Sequence, residues 1–135
     1  KTNEVIKAQP GFMLVASFNP GYQKRLKKLK PSTRQRFVTI AFNYPKHNIE
    51  TRIIIQETGI DEKMAVKLVE LAGQIRNLKD IHLTETVSTR LLIYAALLIK
   101  TDLHPRIACD VTIAQVLSDQ SEVENALRDL ISLKF

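Results

Sequence analysis

Three short stretches place polar side chains where a phosphate or a water could be handled. Asn19 ends the apolar run Phe12 to Phe18 and is followed by Pro20-Gly21. A carboxamide at the C-terminal edge of a parallel sheet can orient a water beside a phosphate; a plain turn-forming Asn is the alternative. Arg34 and Arg36 stand in Pro31-Ser32-Thr33-Arg34-Gln35-Arg36-Phe37, ahead of a second apolar run. An arginine fixed there could reach across a subunit interface and stabilise charge developing on a γ-phosphate, or it could belong to a solvated basic turn. Arg90 lies in Ser88-Thr89-Arg90-Leu91-Leu92, at the start of the most apolar helical stretch. A lone cation in a first helical turn opposes the helix dipole, which a bound anion would offset; snorkelling to solvent is the alternative.

Other chemistry finds no support. A phosphate-cradling loop needs Gly-x-x-x-x-Gly-Lys-Ser/Thr, and none of Gly11, Gly21, Gly59 and Gly73 precedes a lysine. Ile53-Ile54-Ile55-Gln56-Glu57 superficially resembles an apolar strand ending in a magnesium-handling acid, but it lacks the aspartate and fits an amphipathic helix. His47, His82 and His104 are scattered, and His104 with Cys109 is not a zinc-wrapping spacing. No metal site and no Ser-His-Asp or Cys-His arrangement is expected. Acid pairs such as Asp61-Glu62 sit at helix starts, where the dipole accounts for them. The basic run Lys24, Arg25, Lys27, Lys28 and Lys30 has only Tyr22 as a nearby aromatic, too little for a nucleic-acid stacking platform.

The elements that must position these residues fall into two groups. Phe12 to Phe18, between Pro10-Gly11 and Asn19-Pro20-Gly21, reads as a buried strand ending in a turn, and Val5-Ile6, with Glu4 and Lys7, reads as one arm of a hairpin whose other arm is missing. Pro31-Ser32-Thr33 reads as a helical turn with proline near its start. Phe37 to Phe42 reads as a second buried strand, closed by Asn43-Tyr44-Pro45. Two strands cannot make an independent sheet of any size, so this part reads as a piece of a larger one.

From Pro45 the pattern becomes helical. Ile49, Ile53 and Ile54 form an apolar stripe that Gly59 stops, and Asp61 caps a helix whose Met64, Leu68, Leu71, Ile75 and Leu78 share a face. Thr86 or Ser88 opens a third helix, apolar almost all round from Val87 to Ile99 and expected to be buried on several sides. Pro105 starts a fourth over Ile107 to Leu117, and Ser121-Glu122-Val123-Glu124 forms a capping box for a last helix ending near Leu133. The boundary between the groups is set at 44/45.

The 135 residues fit one domain, or a small domain with part of another, and neither composition nor charge suggests disorder. Residues 1–52 hold 11 Lys or Arg against two acids, whereas residues 53–135 hold 9 against 12. Lys1-Thr2-Asn3-Glu4 does not read as a secretory leader, so none is expected, and Leu91 to Ile99 is far too short to span a bilayer. Cys109 stands alone, so it reads as a small buried hydrophobe in a reducing, cytoplasmic setting.

The order of an apolar run ending in Asn, then Arg-x-Arg-Phe before a second run, then a helical bundle with Arg at a helix start resembles the second half of an AAA+ module. The stretches Ala16 to Gln23, Leu29 to Phe37 and Ser88 to Ala95, with weaker support from Pro105 to Cys109, resemble the MoxR branch and within it the CbbQ/NirQ/NorQ group. The resemblance implies an α/β fragment of about two strands of an AAA+ core over residues 1–44, followed by an all-α lid of four to five helices over residues 45–135. It implies that Asn19 is sensor 1, that Arg36 is the arginine finger with Arg34 as second candidate, and that Arg90 is sensor 2. It further implies a ring, usually a hexamer, that uses ATP and Mg in the full-length protein. A partner bearing a von Willebrand factor A domain and a target enzyme of the Rubisco or nitric oxide reductase type would complete the system, with no nucleic acid and no membrane. Both Walker motifs are missing from this stretch, so this part alone should not hydrolyse ATP or hold it tightly. The rival readings are a nucleotide-independent helical interaction module and, less favoured, a basic nucleic-acid-binding module.

Overall fold

A computed structural model of the chain describes residues 7–17, 31–78, 83 and 86–135. Val5-Ile6, Asn19, the Lys24 to Lys30 run and His82 lie outside the described residues. The chain divides into two compact units, Lys1–Val38 and Thr39–Phe135.

In the first unit Pro10 and Gly11 form the expected turn. Phe12 N–H donates to the Gln9 carbonyl at 3.0 Å, and Gly11 takes φ 84°, the left-handed conformation that the third position of a type II turn requires. The segment 12–17 that follows carries no strand ladder, and Phe12 to Val15 are exposed. Helix α1 (Pro31–Arg34) is one short turn with proline at its first position, closed by Arg36 N–H on the Thr33 carbonyl.

In the second unit the segment 39–46 likewise carries no ladder, and Ile40 and Phe42 are exposed. The two strands expected from the sequence are therefore not formed among the described residues, whose regular structure is all helical. Apolar β-branched composition prepares a strand, but a strand exists only when a neighbour supplies the ladder hydrogen bonds.

Five helices make up the rest of this unit. Helix α2 (His47–Thr58) ends at Gly59, whose φ of 65° is the left-handed stop read from the sequence. Asp61 caps α3 (Glu62–Arg76) by accepting from Met64 N–H at 3.1 Å. Helix α4 (Thr89–Lys100) is followed by Asp102 at φ 64°; Asp102 N–H reaches the Ile99 carbonyl and Leu103 N–H the Leu98 carbonyl, a Schellman closure made without glycine. Pro105 opens α5 (Pro105–Cys109), which runs through a π-helical turn (Asp110–Ala114) into α6 (Gln115–Leu117) as one interrupted helix. Helix α7 (Ser121–Lys134) completes the bundle. Its expected capping box is not made: Gln120 holds the cap position and no side chain caps the start.

The core joins Ile54 of α2, Leu68, Leu71 and Ile75 of α3, Leu92, Ala95 and Ala96 of α4, and Leu127 and Ile131 of α7. The α3 stripe is thus as read from its period. Helix α4 packs on α2, α3, α5 and the π turn, its alanines allowing close approach. One face stays open, since Arg90, Tyr94 and Leu97 are exposed. Helix α2 turns a different face inward than expected. Glu50, Thr51, Ile54 and Thr58 are buried, while Ile49 is exposed, because the bundle offers Glu50 partners that a local stripe cannot reveal.

Candidate functional site

The start of α4 is where the second unit gathers its best-connected polar groups. Ser88 adopts the extended cap geometry but its side chain caps nothing, and the first turn contains no acid. Thr89 Oγ1 instead turns inward and donates to Glu50 Oε1 at 2.7 Å. Helical rotation then carries the next residue outward, and Arg90 is exposed. Among the described residues Arg90 makes no ion pair.

Behind this turn lies an ion pair that the sequence reading missed. Arg76, in the last turn of α3, donates from Nη1 and Nη2 to Glu50 Oε2 and Oε1 at 2.7 and 2.8 Å. Its Nε donates to the Val87 carbonyl at 2.8 Å, in the segment that leads into α4. The face of the same guanidinium lies 3.9 Å from the centroid of the Tyr44 ring, a cation–π contact. Glu50 is fully buried, at 0% exposure. Burial alone would push its carboxyl up, but hydrogen bonds from Arg76 and Thr89, with the Arg76 charge, outweigh this and hold it below the ordinary carboxylate range. The carboxylate also belongs to the first turn of α2 and touches the first residue of α4, both positive ends of helix dipoles.

At the opposite end of these helices Lys100 Nζ donates to the Thr58 carbonyl at 2.7 Å, capping α2 with a cation. Helices α2 and α4 are thus tied start to start and end to end, and run parallel. The sequence signal for Glu50 was its i, i+4, i+8 alignment with Ile54 and Thr58, but a glutamate in such a row reads as surface unless its partner is known.

A second polar cluster surrounds the π turn. Arg128 Nε donates to Asp110 Oδ1 at 2.7 Å, and Gln115 donates to Asp110 Oδ2 at 2.8 Å. Burial pushes the Asp110 carboxyl up, and the hydrogen bonds and charge of these partners more than reverse it. The adjoining cleft, lined by Arg106, Ile107, Asp110, Arg128, Ile131 and Ser132, measures ≈ 230 Å³, smaller than ordinary ligand pockets. Cys109 is buried and its thiol is pushed up to about 12, which leaves it unreactive.

The residues expected to act on nucleotide are distributed as follows. Asn19 lies outside the described residues, as does the side chain of Arg34, whose backbone ends α1. Arg36 is exposed in the turn after α1, in the first unit; Arg90 is exposed at the start of α4, in the second. No described helix is long and apolar enough to cross a membrane.

Residues 50–134 match the family described as CbbQ/NirQ/NorQ C-terminal. The chain is 50% identical over 133 residues to the denitrification regulatory protein NirQ of Pseudomonas aeruginosa, covering 98% of this chain and 51% of that protein. It is 49% identical over 135 residues to protein NorQ of Paracoccus denitrificans, covering 100% of this chain and 50% of the relative. Protein CbbQ of Hydrogenophilus thermoluteolus is 44% identical over 128 residues, 95% of this chain and 48% of the relative. The chain spans about half the length of these curated relatives.

Proposed function

Because the chain belongs to the CbbQ/NirQ/NorQ C-terminal family, we propose that it is the sensing part of a MoxR-type AAA+ ATPase that couples ATP hydrolysis to activation of a target enzyme. The observation that carries this reading is Arg90, exposed in an acid-free first turn of a helix whose other faces are packed. Free N–H groups and a cation at one helix start suit a phosphate group. In the full-length protein Arg90 acts as sensor 2 on the γ-phosphate held by its own subunit, and Asn19 as sensor 1 orients the attacking water. Arg36, or Arg34 beside it, serves as arginine finger for the neighbouring subunit of a ring. ATP and Mg are held by the part of the protein that carries the phosphate-binding loop. Residues 12–17 and 37–42 are strands of the α/β core there, which accounts for the exposure of Phe12 to Val15, Ile40 and Phe42.

The partners of this reading are copies of the same protein, a protein bearing a von Willebrand factor A domain, and a target enzyme of the nitric oxide reductase or Rubisco type. The relatives' names, denitrification regulatory protein among them, support a regulator of this kind. In the full-length protein Arg36→Ala abolishes ATP turnover while sparing ATP binding, since finger arginines contribute roughly 10³–10⁵-fold to the rate. Wild-type turnover in that variant removes Arg36 from the finger role; wild-type turnover in Arg90→Ala removes the nucleotide reading of the lid.

A further inference from the structure

Among the described residues of the second unit, Arg76 is the one whose guanidinium is engaged along its edge and on its face at once. Its two terminal nitrogens grip Glu50 on α2, its Nε holds the Val87 carbonyl just ahead of α4, and its flat face carries the Tyr44 ring. Glu50 in turn accepts from Thr89, the first residue of α4 and the neighbour of Arg90. One planar group therefore fixes four stretches of chain: the lead-in segment at Tyr44, the start of α2, the end of α3 and the first turn of α4.

Stability does not explain such a group. A buried ion pair can be replaced by apolar residues of similar volume with little loss, because desolvation cancels most of its attraction. What an apolar cluster cannot supply is direction. A bidentate fork with a stacked face has one orientation, and it transmits that orientation to whatever it holds. The held element here is the turn that projects Arg90, and the other end of the clasp is the segment by which the chain enters the helical unit.

We infer that Arg76, Glu50 and Thr89 are positioning residues that set the direction of Arg90, and that Tyr44 ties this setting to the lead-in segment. The inference rests on the nucleotide reading of Arg90. When the lead-in segment turns against the bundle, the Tyr44–Arg76 contact carries the change to Val87 and Glu50, and through Thr89 to the Arg90 turn. None of the four need touch nucleotide.

The test is a comparison of ATP and ADP affinity in the full-length protein, because a residue aimed at a γ-phosphate affects only the first. Thr89→Val removes the hydroxyl donor while keeping the shape and the Arg76–Glu50 pair. It is expected to weaken binding of a non-hydrolysable ATP analogue by roughly tenfold, the loss of one hydrogen bond to a charged group, with ADP binding unchanged. Thr89→Ser restores the hydroxyl and is expected to restore the discrimination. Thr89→Val with wild-type discrimination, while Arg90→Ala has lost it, overturns the positioning role alone. A Ser variant that behaves like Val overturns it too. Loss of ATP and ADP binding together marks a merely structural role and also overturns it. Arg90→Ala with intact discrimination instead removes the underlying reading. Should Thr89→Val not fold, Tyr44→Leu, at a half-exposed position, takes the ring from Arg76 and is judged by the same two affinities.

Discussion

Two arginine–carboxylate clusters in the same helical unit pair the same chemical groups to different effect. Arg76 grips Glu50 at 2.7 Å and Arg128 grips Asp110 at 2.7 Å. The Arg76 side chain is 12% exposed and its carboxylate 0%, whereas Arg128 is 42% exposed and also pairs with Glu124 one helical turn away. Contact distance therefore says little about consequence. At the π turn water and salt can replace either partner, so the pair is worth little. Behind α4 neither partner can be rehydrated without opening the bundle, so loss of one strands the other.

Breaking the buried cluster should have the largest effect. Glu50→Ala leaves the Arg76 guanidinium unpaired among packed helices and is expected to cost about 3–5 kcal/mol, read as a fall in the urea midpoint at unchanged slope. A midpoint within error of wild type would place Glu50 with the surface pairs. Acidification should give an intermediate effect. The Glu50 pKa is lowered in the folded chain, so its contribution is present above the ordinary value of 4.5 and is lost as pH falls through the lowered value. A Glu50→Gln variant should lose less stability than wild type between pH 4.5 and lower pH; parallel curves would show that the carboxylate contributes nothing there. The smallest effect is expected from Arg128→Ala, whose midpoint should move far less than that of Glu50→Ala and should converge on wild type as salt is raised. A shift matching that of Glu50→Ala would erase the contrast between the clusters.

Much of the helical unit was legible in the sequence because its signals are local. The Asp61 cap, the Gly59 stop, Pro105 at a helix start and the Leu68–Leu71–Ile75 stripe each depend on residues within a turn or two. Where the rules are looser, the reading slipped. Asp102 closes α4 in a left-handed conformation that a search for glycine passes over. The π turn has no residue signature in Asp110–Ala114, and Ser121-Glu122-Val123-Glu124 had the pattern of a capping box without forming one. The segments 12–17 and 37–42 had strand composition, but pairing needs a neighbour that composition does not provide.

By itself the sequence determined that Arg90 stands in the first turn of a helix free of early acids, and that it follows Thr89. Periodicity and the stretches shared with a known family sufficed for that. Only the tertiary structure decided that Glu50, and not Ile49, turns inward, and that Arg76, 26 residues further on, meets it and Tyr44 together. A charged side chain is buried only where a partner from a distant element repays its desolvation. That partnership depends on how α2, α3 and α4 pack, and no local pattern of residues encodes it.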